Sequence, residues 1–165
     1  MKYSWLVLFF LVVSCTNEQT VSNDTSTEAK ALPAPIIVIH GGAGSITTER
    51  LGPEGTALYR AALDSAIDIG YTILANGGTA LEAVEKTINF MENNSLFNAG
   101  KGAVLTAMGE PELDASIMDG SNLMAGAVAG VTSVKNPITL ARLVKDSTKH
   151  VLLKGRGAEA FAYEM

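Results

Sequence analysis

The chain has 165 residues and a mass of 17.3 kDa, is 47% hydrophobic and 18% charged, and contains 16 glycines and 5 prolines. That composition builds a globular core and excludes wholesale disorder, collagen and coiled coil. A net charge of −5 weighs against nucleic acid, whose binders carry a dense positive face, and the single cysteine excludes both an intramolecular disulfide framework and a cysteine-built zinc site.

Met1 and Lys2 give a short basic start, and Trp5 to Val13 is an unbroken apolar run. The run is too short to cross roughly 30 Å of hydrocarbon, which takes about 20 residues, and it fits the core of an export signal over residues 1–14. Val12-Val13-Ser14-Cys15 resembles a bacterial lipobox, in which the cysteine is acylated and becomes the new N-terminus. The expectation is an exported lipoprotein on the periplasmic or cell-surface side, held on the membrane only through lipid on Cys15. Residues 15–32 are rich in Ser, Thr and Asn and read as a flexible polar tether. A folded domain is expected over residues 33–165.

Pro33 and Pro35 favour extended backbone at the domain entry. Ile36 to Ile39 is a continuous β-branched run, which predicts a strand buried on both faces, and it leads straight into His40-Gly41-Gly42. A helix is expected to start at Pro53-Glu54, to bury a face of Leu63, Ala66, Ile67, Gly70 and Leu74, and to stop at Asn76-Gly77-Gly78. The next opens with a capping box, Thr79 to Glu82, and presents Leu81, Val84, Ile88 and Met91 as its apolar stripe. Asn93 to Gly102 is an Asn- and Gly-rich loop. Strands are predicted at residues 103–107, 113–118 and 124–134, the last alternating small residues that suit close packing on another layer. Asn136-Pro137 reads as an N-cap with proline at the first helical position, followed by a stripe of Leu140, Leu143 and Val144. A short strand at residues 150–153 and a helix from Ala158 complete an α+β pattern.

Single motifs say little. The turn after the first strand is not a dinucleotide fingerprint, since Thr47 stands where a third glycine belongs. Gly100-Lys101 is not a phosphate loop, since Ser95 stands where its leading glycine belongs. His40-Gly41-Gly42 resembles the oxyanion loop of esterases, yet no G-x-S-x-G elbow follows, and a tight turn needing positive φ explains the glycines equally well. Asp114 and Asp119, five apart along a strand, would point to opposite faces and form no acid–base dyad. His40 and His150 with scattered acids have no metal-ligand spacing.

Taken in order, however, the blocks IIVIHGGAGS (36–45), LFNAGKGAVLT (96–106), ELDASIMDGSNLMAGAVAGVTSVKNPITLARLV (112–144) and HVLLKGRGAEAFA (150–162) resemble the plant-type L-asparaginase/isoaspartyl peptidase family of N-terminal nucleophile hydrolases. The resemblance implies an αββα sandwich made from a precursor that cuts itself into α and β subunits. It also implies hydrolysis of L-asparagine and β-aspartyl (isoaspartyl) dipeptides by the threonine that the cut exposes. A free α-amine beside that hydroxyl can serve as its general base, so one residue supplies nucleophile and base. Only the α-subunit region is matched here, and neither Thr106 nor Thr132 begins the small-residue strand that follows the family's nucleophile. No catalytic residue is therefore expected in this chain. The nucleophile is expected downstream of Met165, and the fragment alone is expected to be inactive. The partners implied are the β subunit of the same precursor, a second αβ pair and a small dipeptide substrate.

By the same resemblance, His40, Gly41 and Gly42 form the turn beside the nucleophile, and Asn98 helps to position the active-site region. No cofactor is required. A structural sodium ion is implied in the loop from Met91 to Lys101, held by the main-chain carbonyls of Met91, Glu92, Asn94, Phe97, Ala99 and Lys101, as suits a hard cation. The alternatives are a glycosylasparaginase-type N-glycan amidase and a non-catalytic, lipid-anchored α-like binding module.

Overall fold

The computed structural model describes residues 34–44 and 46–165. The export signal, the tether and Cys15 lie outside the described residues. No helix among those described is long and apolar enough to cross a membrane.

Helix α1 (Thr48–Ala75) is two helices joined at Gly52, whose φ of 65° breaks the ladder just before Pro53. The expected start at Pro53-Glu54 is that break, and a short preceding turn is capped by the Thr47 hydroxyl. The helix ends as its sequence predicts, in a Schellman cap. Gly77, at φ 81°, donates to the Leu74 carbonyl and Gly78 donates to that of Ile73. Helix α2 (Ala80–Glu92) begins where the Thr79 hydroxyl accepts from the Glu82 amide at 3.1 Å. Of its expected stripe Met91 is buried and Leu81 and Ile88 pack on the core, but Val84 is exposed, and Ala83, Glu85, Thr87 and Glu92 are buried instead. The shift follows from α2 lying between two helices, α1 on one side and α3 (Pro137–Ser147) on the other. Small residues permit the first approach, since a β-carbon on Gly70 of α1 would run into Ile37 and the Thr87 hydroxyl.

Strands β1 (Leu113–Met118), β2 (Ala125–Val131) and β3 (Leu152–Lys154) form one sheet in that order, β1 antiparallel and β3 parallel to β2. The ladder slips between Leu113↔Val131 and Ala115↔Val128. Gly130 stands at the slip with φ 60°, and its amide donates to the Asp114 carboxylate at 2.8 Å. One face of the sheet carries Leu113, Ile117, Val128 and Val131 into a core with Ile138, Leu140, Ala141 and Val144 of α3 and Ala158 of α4 (Gly155–Glu164). Each Leu, Ile or Val among them stabilises by about 1.5–3 kcal/mol on full burial. The other face carries Ser116, Met118, Ala127 and Leu152, and Met118 and Leu152 are 58% and 54% exposed. The described residues are thus mixed helix and sheet, with helices on one sheet face.

Two expected strands are absent. Ile36 to Ile39 pairs with no described neighbour. Ile36 and Val38 face outward and Ile37 and Ile39 inward, so the run has a strand's alternation without its ladder. Residues 103–107 contribute only an isolated bridge, Leu105 to Pro111, around the tight turn from Thr106 to Gly109.

Candidate active site

The glycine turn owes its shape to space as much as to backbone freedom. Gly42 has φ 105°, a region that side chains disfavour. Gly41 instead abuts the second core cluster of Ala62, Ala66, Met91 and Phe97. A β-carbon on it would stand 2.9 Å from a Leu63 methyl and 3.6 Å from the Phe97 ring. Phe97 is fixed in turn by an edge-to-face contact with Tyr59, ring centroids 6.4 Å apart. Around these residues lies a cavity of about 230 Å³ lined by Gly41, Gly42, Ile46, Tyr59, Leu63 and Phe97. His40 is exposed, and its Nδ1 accepts from the Gly42 amide at 3.2 Å. That bond requires an unprotonated Nδ1, and no carboxylate among the described residues hydrogen-bonds to the ring. His40 therefore shapes the turn and has no acid partner of the kind a general base uses.

Asn98 follows Phe97 in the chain and lines the separate cavity of about 260 Å³ beside Glu92 and Gly100. Its Oδ1 accepts from the Val104 amide at 2.8 Å and closes the loop over residues 98–104, which leaves its Nδ2 without a hydrogen-bond partner among the described residues. Inside the loop, the 3-10 turn Gly100–Gly102 folds back on the end of α2. Gly100 sits at φ 50° with its α-carbon so close to the Glu92 main chain that a β-carbon would lie 2.9 Å from the Glu92 Cβ and closer still to its carbonyl oxygen. A β-carbon on Gly102 would collide with the Phe97 carbonyl and stand 2.8 Å from that of Ser95. The carbonyl oxygens of Glu92, Ser95 and Phe97 thus lie against glycines at positions where no side chain would fit. Of the six expected carbonyls, that of Met91 accepts the Asn93 and Asn94 amides, those of Asn94, Phe97 and Ala99 accept one backbone amide each, and those of Glu92 and Lys101 accept none among the described residues. Among the described residues no group of three His, Cys, Asp or Glu is placed to hold a metal.

Buried carboxylates escaped the sequence reading. Glu92 is 4% exposed, and its two oxygens accept from Ile138 N and Asn136 Nδ2, each at 2.9 Å. Asn136 therefore does not cap α3 with its own side chain, as its position before Pro137 suggested. Glu92 caps it from another helix. Burial pushes the Glu92 carboxyl above the usual carboxylate range, and the bonds from Asn136 and Ile138 oppose that rise. Glu85, two turns earlier on the same face of α2, accepts from the Thr139 hydroxyl at 2.9 Å and pairs with Arg142 at 2.6 Å. No spacing rule marks these residues. The only available signal was two acids on a helix face otherwise suited to burial. Cavities of about 350 and 260 Å³ flank the loop, and Glu92 and Gly100 stand in the walls of both.

Comparison with known proteins bears on this arrangement. A family described as Asparaginase matches residues 33–165. The chain is 48% identical over 128 residues to the isoaspartyl peptidase/L-asparaginase of Xenopus laevis, 78% of this chain and 40% of that one. It is 46% identical over 128 residues to the isoaspartyl peptidase of Salmonella typhimurium, covering 78% of this chain and 41% of the relative. Against the isoaspartyl peptidase/L-asparaginase of Homo sapiens it is 48% identical over 132 residues, with 79% and 41% covered. The chain spans about two fifths of the length of these curated relatives.

Proposed function

This chain belongs to the asparaginase family, and from that premise we propose that it is the α-side part of a hydrolase of β-aspartyl dipeptides and L-asparagine. The observation that carries the reading is the match over residues 33–165, with relatives named isoaspartyl peptidase at 46–48% identity. The site's geometry agrees with it. The glycine turn is packed on Phe97, and the neighbouring Asn98 is held by one amide oxygen with its NH₂ group free to donate to a ligand.

In this reading a threonine downstream of Met165 attacks the side-chain carbonyl of the aspartyl substrate, its own α-amine taking the proton. That proton passes to the departing amine as the C–N bond breaks, releasing ammonia or the second residue of the dipeptide, and water then hydrolyses the acyl-threonine ester to aspartate and free threonine. The described residues hold rather than react. Gly42 has open space around its α-carbon that would admit a neighbouring chain terminus, Gly41 seats the turn on Leu63 and Phe97, and Asn98 Nδ2 offers a donor. The main-chain carbonyls of Met91, Glu92, Asn94, Phe97, Ala99 and Lys101 would hold sodium, a hard cation that takes oxygen ligands. The rest of the protein would pair with Ile36–Ile39 and cover the open sheet face, completing an αββα sandwich that pairs with a second αβ unit. Export and lipidation of Cys15 would put the enzyme on a membrane surface.

The test is expression of the protein with its continuation past residue 165. Self-cleavage should yield two fragments, the second beginning with threonine, together with release of aspartate from a β-aspartyl dipeptide. An uncut protein that hydrolyses neither the dipeptide nor L-asparagine overturns the reading. Replacing Cys15 with Ala should move the protein from the membrane fraction to the soluble one.

A further inference from the structure

We infer that Glu92 is the positioning residue of the loop at residues 93–104, which it grips with its main chain while its carboxylate is anchored in α3. The two halves of the grip are separate observations. On the side-chain side, Oε1 accepts from Ile138 N and Oε2 from Asn136 Nδ2, each at 2.9 Å, in a pocket that leaves Glu92 4% exposed and Ile138 3% exposed. Because Asn136 forms no cap of its own, the Ile138 amide has Glu92 as its partner. A buried amide without an acceptor is strongly disfavoured, so α3 and the last turn of α2 are held at one spacing. On the main-chain side, Gly100 at φ 50° is seated directly on the Glu92 carbonyl, and the turn it opens leads into the strap from Asn98 to Val104.

Loop and helix are therefore not independent. Moving the Glu92 backbone moves the surface on which Gly100 rests, and with it the Asn98 side chain. The presence of Glu92 and Gly100 in the walls of the cavities on both sides places this contact at the loop's base. Glu85 supplies the contrast. It lies on the same helix, is also buried, and bonds to the same α3 through Thr139 and Arg142, yet it does not touch the loop. A residue that only glued α2 to α3 would behave like Glu85.

The catalytic part of this inference rests on the function proposed above, and the structural part does not. The test uses the full-length protein with Glu92→Ala, Glu92→Gln and Glu85→Ala. In Glu92→Ala, amide hydrogen exchange in peptides covering residues 93–104 should rise about tenfold or more, whereas Glu85→Ala should leave those peptides unchanged. With a β-aspartyl dipeptide, Glu92→Ala should lower kcat by about tenfold or more with KM within about twofold, and Glu85→Ala should hold kcat. Glu92→Gln keeps an acceptor for Ile138 and can bond to Asn136 once that amide rotates, so it should restore both readouts. Unchanged exchange at 93–104 in Glu92→Ala, or equal loosening by Glu85→Ala, overturns the inference. Should Glu92→Ala fail to fold, Asn136→Ala removes one of the two anchors, and a loop as protected as in the wild type would likewise overturn it. A wild-type protein that does not hydrolyse the dipeptide defeats the functional reading alone, because the exchange comparison still decides the role of Glu92.

Discussion

At the scale of single residues, the glycines whose substitution costs most are those whose missing side chain is another element's space. Gly126 in β2 is the sharpest case. A β-carbon there would collide with the Ala141 carbonyl and stand 2.5 Å from the Lys145 amide, both main-chain atoms of α3 that cannot rotate away. Gly126→Ala must push helix from sheet, and it should cost about 3 kcal/mol or more in urea unfolding, at the upper end for overpacking. Gly157→Ala, with open space around its α-carbon, should be near neutral in the same measurement. The sequence marked the small-residue strand as closely packed but could not say which glycine faces the helix, because register decides that. His40-Gly41-Gly42 and Asn98 stand as candidates through their order among neighbouring blocks rather than through any chemistry of their own. Glu92 and Glu85 were illegible because a buried carboxylate is recognised by its partners, and those lie more than forty residues away in sequence.

At the scale of elements, local signals were read correctly wherever the element carries its own boundary. The capping box at Thr79, the Gly77 stop and the turn between β1 and β2 all lie where their residue types place them. Thr79→Ala should remove the bond to the Glu82 amide and lower stability by about 1 kcal/mol, visible as a lower urea midpoint at unchanged slope. Elements defined by distant partners were not legible, and Ile36 to Ile39 is the clearest, since a strand needs a neighbour that no local pattern supplies.

Helix α4 shows the same principle in its attachment. One oxygen of Glu159 accepts from Thr132 N at 2.7 Å, Thr132 Oγ1 at 2.9 Å and Ser133 N at 3.0 Å. These bonds, the Thr132 amide first, hold its carboxyl at about 2 against an ordinary 4.5. A depressed carboxyl binds fewer protons folded than unfolded. The stability it confers is therefore present above the unfolded value and is lost as pH falls from 4.5 towards about 2. Glu159→Gln should flatten that acid limb, read as a melting temperature depending less on pH within this window than in the wild type.

At the scale of the whole molecule, the decisive feature is that the sheet has one dressed face and one bare one. Helices α3 and α4 cover Val128, Val131 and Ile117, while Met118, Leu152 and the alanines of β2 look outward with nothing described above them. Ile36 and Val38, each 86% exposed, add an apolar edge whose backbone ladder is unpaired. A sheet face of small apolar residues and an unpaired extended segment are each what a further layer packs on, and without one they are surfaces for self-association. Residues 33–165 produced on their own should therefore elute from size exclusion as concentration-dependent oligomers rather than as a monomer. Light scattering gives the mass directly. Replacing Met118 and Leu152 together by Lys puts two like charges on that face without touching the core side, and it should shift the population towards monomer while leaving the unfolding midpoint nearly unchanged. A wild-type segment that stays monomeric at high concentration would mean that the bare face is stable in water, and the case for a covering layer would fail with it. Fold class was legible because it depends on hydrophobic periodicity within each segment. The bare face was legible only through the family resemblance, whose four-layer sandwich leaves an α-side sheet face for its partner to cover, because whether a face is covered depends on what packs above it.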